Sequence, residues 1–197
     1  MTSTPTLRES ALLVIDVQDS FKVTPRWERR NNPNFEVNVD ALIQAYRAAD
    51  LPIYHILHSD SDEHFETTSP HYKLMDFLAP LQNEPILQKI TRNCFTSTPL
   101  QAMLTRQGVR RLAITGIQME QCCETTARLA ADLGFDVDFV MDATLTFPIP
   151  HRVEGSLVVE LGVAEIEERT RFVLRDRFAR IVDTAKLVNE LQVLGAL

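Results

Sequence analysis

Apolar residues in this chain follow two rhythms. Residues 11–15 form an unbroken apolar run, the mark of a strand buried on both faces. Phe35, Val39, Leu42, Ile43 and Tyr46 then recur at helical spacing and predict a helix over about 34–49. Short β-rich segments follow at 52–57, 85–90, 111–117, 137–140 and 179–182. Between them lie further helical stretches. One starts where Thr98 can cap, Pro99 fits the first turn and Gln101 can close a capping box. Another spans about 120–133, with Cys122, Thr126, Leu129, Ala130 and Leu133 on one face and Gly134 as its stop. Residues 166–174 read as helical, and Asp183 caps a last helix that turns Leu187, Val188 and Leu191 inward.

Strands alternating with helices pair in parallel through right-handed crossovers. The expected fold is therefore α/β, a three-layer α/β/α sandwich around a central, mainly parallel sheet. A chain of 197 residues without repeats or low-complexity linkers suits one domain over 1–197. Such sheets bind ligands at the carboxyl ends of their strands. The places to look for chemistry are thus just after residues 15, 57, 90, 117 and 140.

Composition narrows the function. With 45% hydrophobic and 24% charged residues the chain is ordinarily globular. A net charge of −7 disfavours nucleic acid and anionic membrane as partners and leaves a small-molecule substrate. No apolar run is long enough to span a bilayer, and the first residues lack the apolar stretch of a signal peptide. The cysteines Cys94, Cys122 and Cys123 make a poor disulfide framework, which points to a reducing, cytoplasmic setting.

The strand ends carry three reactive side chains. Asp16 closes the first apolar run, and a buried carboxylate needs a partner or a task. Lys89 interrupts the apolar run near residue 88, although an edge-strand lysine can serve only to prevent aggregation. Cys122 follows the 111–117 strand in what reads as the first turn of a helix. Free N–H groups and the helix dipole there favour a thiolate, so its pKa is expected to fall. As a free cysteine on the inner face of its helix, Cys122 also fits a core role. A carboxylate, an amine and a thiol on one sheet edge are the minimum set for amide hydrolysis through an acyl-enzyme.

Residues 11–21, Lys89 with 92–95 and 98–100, and the block from Gly116 through Cys122, Cys123 and Thr126 to Gly134 and 142–144 resemble the isochorismatase-like hydrolases. This superfamily of cysteine hydrolases includes nicotinamidases and N-carbamoylsarcosine amidohydrolase. The resemblance covers nearly the whole chain and implies a catalytic triad of Asp16, Lys89 and Cys122. Asp16 would take the thiol proton and return it to the leaving amine, while Lys89 would stabilise the thiolate. The N–H groups of Gln118 and Cys122 would form the oxyanion hole, helped by a cis peptide at Ile117–Gln118. The nucleophile lies six residues after the glycine, which selects Cys122 over Cys123. Homo-oligomers, dimers or tetramers, are also implied.

Nicotinamidases of this family add a metal held by one Asp and two His. Here His58, Asp60 and His64 resemble that set, but Ile56 stands where the Asp is expected, so Asp60 or Asp62 would have to substitute. A solvated acidic loop without metal is the preferred reading, and no cofactor is expected. Phe21, Trp27 and Phe147, with His58, are expected to contact substrate. Arg26, Arg29 and Arg30 either bind a substrate carboxylate or, as preferred here, form a solvated face. The leading function is cysteine-dependent hydrolysis of a small amide, ureide or carbamoyl C–N bond. A metal-assisted deamidase, a vinyl ether hydrolase and a non-catalytic binding relative are the alternatives. Retention of Cys122 argues against the vinyl ether reaction, which in this family does not rely on it.

Overall fold

The computed structural model describes residues 6–152 and 158–195. Its strands are β1 (Ser10–Ile15), β2 (Ile53–His58), β3 (Ile86–Lys89), β4 (Arg111–Ile117), β5 (Asp136–Leu145), β6 (Ile149–Arg152), β7 (Val158–Leu161) and β8 (Arg180–Val182). Its α-helices are α1 (Phe35–Ala48), α2 (Leu100–Arg106), α3 (Glu124–Asp132), α4 (Val163–Leu174) and α5 (Thr184–Gly195). All strands except β6 and β7 form one parallel sheet in the order β3-β2-β1-β4-β5-β8. Helices α1 and α5 pack on one face and α2, α3 and α4 on the other, giving the expected three-layer α/β/α sandwich.

β1 shows why the central strand is apolar throughout. Leu12 and Val14 enter the core under α1 and α5, while Ala11, Leu13 and Ile15 enter the core under α2 and α3. Each of its larger side chains contributes roughly 1.5–3 kcal/mol on burial. The inward residues of α1 are the five read from spacing, and all are fully buried. Helix α3 ends in a Schellman motif: Phe135 N–H donates to Ala130 O and Gly134 N–H to Ala131 O, both at 3.0 Å. Asp183 caps α5 by accepting the Lys186 N–H at 2.8 Å.

From β1 the chain winds outward to β2 and β3, then returns to β4 on the other side. The carboxyl ends of β1 and β4 therefore flank the topological switch point, where open α/β sheets bind ligands. Gly116 lets these two ends approach. It has a φ of +127°, and a Cβ there would lie 1.9 Å from Ile15 O. At the opposite end, buried Asp138 on β5 ties three strands together. Arg111 of β4 donates to it at 2.8 and 3.0 Å, and Arg180 of β8 at 2.6 and 3.1 Å. These bonds outweigh burial and hold its carboxyl below the usual range.

Some boundaries differ from the pattern. β5 runs to Leu145, beyond the expected 137–140, and its pairing with β4 slips register between Ile114 and Gly116. The antiparallel β6–β7 pair was not foreseen, because Pro150 and the polar residues beside it mask a strand. Pro99 is the N-cap of α2 and not its first residue. Thr98 Oγ1 accepts the Leu100 N–H at 3.1 Å, and Gln101 closes no capping box among the described residues. No helix among the described residues is long and apolar enough to cross a membrane.

Candidate active site

Asp16 follows β1 in a left-handed conformation, φ 53°, which short polar side chains tolerate. Its N–H donates to Ile56 O and its carbonyl accepts the Gln18 N–H, both at 2.9 Å. Lys89 ends β3 beside His58 of β2. Its Nζ donates to Asp16 Oδ2 at 2.8 Å and to Cys122 Sγ at 3.4 Å. Both charged residues are 0% exposed. An unpaired lysine in this position would be strongly destabilising, so pairing with Asp16 is a condition of the fold. Burial pulls the Lys89 pKa down, but Asp16 and Cys122 outweigh it and keep the ammonium charged. Asp16 Oδ1 is buried and has no hydrogen-bond partner among the described residues.

The backbone reaches Cys122 by an unusual route. The Ile117–Gln118 peptide is cis, as the family resemblance implied. A single π turn, Met119–Cys123, follows and is closed by the Cys123 N–H on Gln118 O at 3.1 Å. Such turns concentrate at functional sites. Helix α3 begins only at Glu124, so Cys122 is not in the first turn of an α-helix. The expected fall in its pKa is also overturned. Burial first, and the Asp16 carboxylate second, push the thiol up to about 12 against the opposing pull of Lys89. The resting sulfur is therefore a thiol.

Polar side chains lock these segments together. Gln18 Oε1 accepts the His58 N–H at 2.8 Å, and its Nε2 donates to His58 O at 3.1 Å. Thr126 Oγ1 donates to Cys122 O at 2.7 Å and accepts the Cys94 N–H at 3.2 Å, linking the segment after Lys89 to the turn that carries Cys122. Gln118 Nε2 donates to Glu120 Oε1 at 2.9 Å, while Thr146 donates to Glu120 Oε2 at 2.6 Å. Cys123 and Cys94 are fully buried core thiols.

A cavity of about 120 Å³ opens onto Cys122, Asp16 and Gln118. Of the four residues expected to contact substrate, Phe21 and His58 line it. Phe147 and Trp27 do not. Phe147 stacks behind Phe21 with centroids 5.9 Å apart, and Trp27 lies 6.3 Å from Phe147. They form a second layer that stiffens the wall. Phe65 and Gln121 also line the cavity, and neither was singled out. Phe65 meets Phe21 edge-on at 4.9 Å, a contact across a loop that periodicity cannot reveal.

The metal candidates come together only in part: Asp60 Oδ2 lies 3.2 Å from His58 Nε2, but His64 does not join them. Arg92 Nη1 lies 2.8 Å from His58 Nε2, and because a guanidinium only donates, it occupies the lone pair a metal would need. Burial also lowers the His58 pKa, with the Lys89 charge adding to it, so the ring is neutral. His64 turns to Glu63 at 3.5 Å and to the ring of His71. Among the described residues no group of three or more His, Cys, Asp or Glu is placed to hold a metal ion. The nicotinamidase-type metal does not fit these residues.

Residues 10–162 match the family model described as the isochorismatase domain. The chain belongs to the isochorismatase-like hydrolase superfamily. Among similar proteins of this family, YrdC of Bacillus subtilis is 27% identical over 184 residues, covering 92% of this chain and 96% of that protein. Nicotinamidase 3 of Arabidopsis thaliana is 28% identical over 202 residues, covering 95% of this chain and 91% of its own. A hydrolase of the isochorismatase family from Chromobacterium violaceum superposes with a TM-score of 0.85 at 26% identity, covering 98% of this chain and 100% of that one. The cavity at the switch point is thus that of an isochorismatase-family hydrolase.

Proposed function

We propose that this chain hydrolyses the C–N bond of a small amide, ureide or carbamoyl compound through a thioester on Cys122. The observation that carries the reading is the lysine shared between carboxylate and thiol, with Nζ 2.8 Å from Asp16 Oδ2 and 3.4 Å from Cys122 Sγ. A buried thiol with a pKa near 12 cannot wait as a thiolate, so its proton must leave as the C–S bond forms. The unpartnered Asp16 Oδ1 is free to receive it. The N–H groups of Gln118 and Cys122 then hold the oxyanion. As the tetrahedral adduct collapses, Asp16 returns the proton to the amine nitrogen and the C–N bond breaks. Water next attacks the thioester and gives its proton to Asp16, which passes it to the sulfur as the C–S bond breaks, restoring both the thiol and the Asp16 carboxylate. Lys89 stays protonated throughout and keeps Asp16 ionised between steps.

Kinship with a protein named nicotinamidase 3 supports C–N chemistry. The Arg92 contact on His58 favours the metal-independent form over the metal-assisted one. The working form is taken to be a homo-oligomer in a reducing compartment, to be measured by sedimentation. The chemical test is ammonia release over a panel of small carboxamides, ureides and carbamoyl compounds, with Cys122→Ala as control. Release that vanishes in the variant is expected. Release near the wild-type rate in Cys122→Ala would refute the mechanism.

A further inference from the structure

Three arginines follow the loop after β1, and two are accounted for. Arg29 makes a bidentate pair with Glu160 at 2.8 and 2.6 Å. Arg30 lies over the Trp27 ring at 4.5 Å and donates to Trp27 O. Arg26 differs. It lines the same 120 Å³ cavity as Cys122, partly buried, with its guanidinium carbon 5.4 Å from the Phe21 ring centre and 5.1 Å from that of Phe147. It makes no hydrogen bond among the described residues. The ring contacts soften its charge but satisfy none of its N–H donors.

The acids that face Arg26 are engaged elsewhere. Glu120 accepts from Gln118 and Thr146. Asp60 lies against His58 and Arg92 and accepts the Asp62 N–H. Asp62 accepts the His64 N–H. The other guanidinium on the cavity, Arg92, gives Nη1 to His58 and lies 3.8 Å from Asp60. Arg26 therefore presents a desolvated, permanently charged fork to whatever fills the cavity, and its natural complement is a planar carboxylate. Arg26 and Cys122 line one cavity of about 120 Å³, so an anion held by Arg26 and a carbonyl at Cys122 fit within one small molecule.

We propose that Arg26 anchors a carboxylate of the substrate, which makes the preferred substrate a small amide or carbamoyl compound that is also an acid. The amide half rests on the reading above; the acid half does not. Binding separates the two. Calorimetry on Cys122→Ala protein compares succinamate with its uncharged isostere succinamide, and hydantoate with its amide. The monoanions are expected to bind at least about 10-fold more tightly. In Arg26→Met on the same background that preference collapses, and Arg26→Lys restores part of it, because lysine keeps the charge but loses the fork. Equal binding of acid and amide, no binding of either at millimolar concentration, or a preference that survives Arg26→Met would each overturn the proposal. An Arg26-dependent preference for the acids, without ammonia release by the wild-type enzyme, would uphold the anchor and sink the amidase reading.

Discussion

The burial of Cys122 has a measurable consequence. At pH 7 a thiol with a pKa near 12 is thiolate in about one molecule in 100,000, against about 3% for an ordinary cysteine of pKa near 8.5. Alkylation proceeds through the thiolate, so ionisation alone slows it roughly 3,000-fold. The more basic sulfur is also the better nucleophile. With a Brønsted coefficient of about 0.4–0.5, the higher pKa returns a factor of roughly 40. The net expectation is that Cys122 in resting enzyme reacts with iodoacetamide about 100-fold more slowly than a free thiol at pH 7. The logarithm of the rate should climb with unit slope from pH 7 to beyond pH 9 without a plateau. Peptide mass spectrometry resolves Cys122 from Cys94 and Cys123, both fully buried. A plateau below pH 8, or a rate above that of free cysteine, would show a preformed thiolate and refute the concerted proton transfer proposed here.

Other consequences can be measured directly. Asp16→Asn should lower kcat by about 10²–10⁴, since an amide cannot shuttle the proton, and steady-state ammonia release reads this. Lys89→Met strands the Asp16 charge in the core and should cost about 3–5 kcal/mol in urea unfolding. Gly116→Ala drives a Cβ against Ile15 O and should cost more than the ~1–3 kcal/mol of backbone strain alone, also seen in urea. Glu84 is held down at about 2 although burial opposes it, because Arg47, the Leu81 N–H and His55 outweigh that cost. Its folded pKa is depressed, so the stability it contributes is present above the unfolded value near 4.3. That stability, roughly 3 kcal/mol, is lost as pH falls towards 2. Urea titrations between pH 5 and 2 should show a steeper loss in wild type than in Glu84→Gln, the difference reaching roughly 3 kcal/mol.

Much of this fold could be read from β1 and α1 because their patterns are local. An unbroken apolar run needs two covered faces, and five residues at helical spacing need one. The end of β4 was legible only in part. The position of Cys122 followed from Gly116, but a π turn leaves no periodic trace in the residues 119–123. The pKa error has the same origin. Chain position suggested a helix terminus, whereas the burial that decides the titration comes from segments distant in sequence. Asp16, Lys89 and Cys122 were singled out as residue types at strand ends, but their meeting depends on Lys89 reaching past β2. Arg26 read as a member of a solvated basic run, because nothing in the sequence says that Glu160 takes Arg29 and leaves Arg26 alone. The walls of a small cavity are made of such pairings.

The sheet carries a buried carboxylate near each end, and the two are finished differently. Asp138 has both oxygens occupied by two guanidiniums, so its lone pairs offer nothing to a passing proton. Asp16 has one oxygen held by Lys89, and the other accepts no hydrogen bond among the described residues. The first behaves as a rivet and the second as a socket, though both are aspartates in ion pairs out of water. On the mechanism proposed above, coordinative saturation, more than burial or charge, separates mortar from reagent in this molecule. An arginine reaching the bare oxygen of Asp16 would be expected to turn the socket into a second rivet, leaving the sheet firm and the thiol without a base.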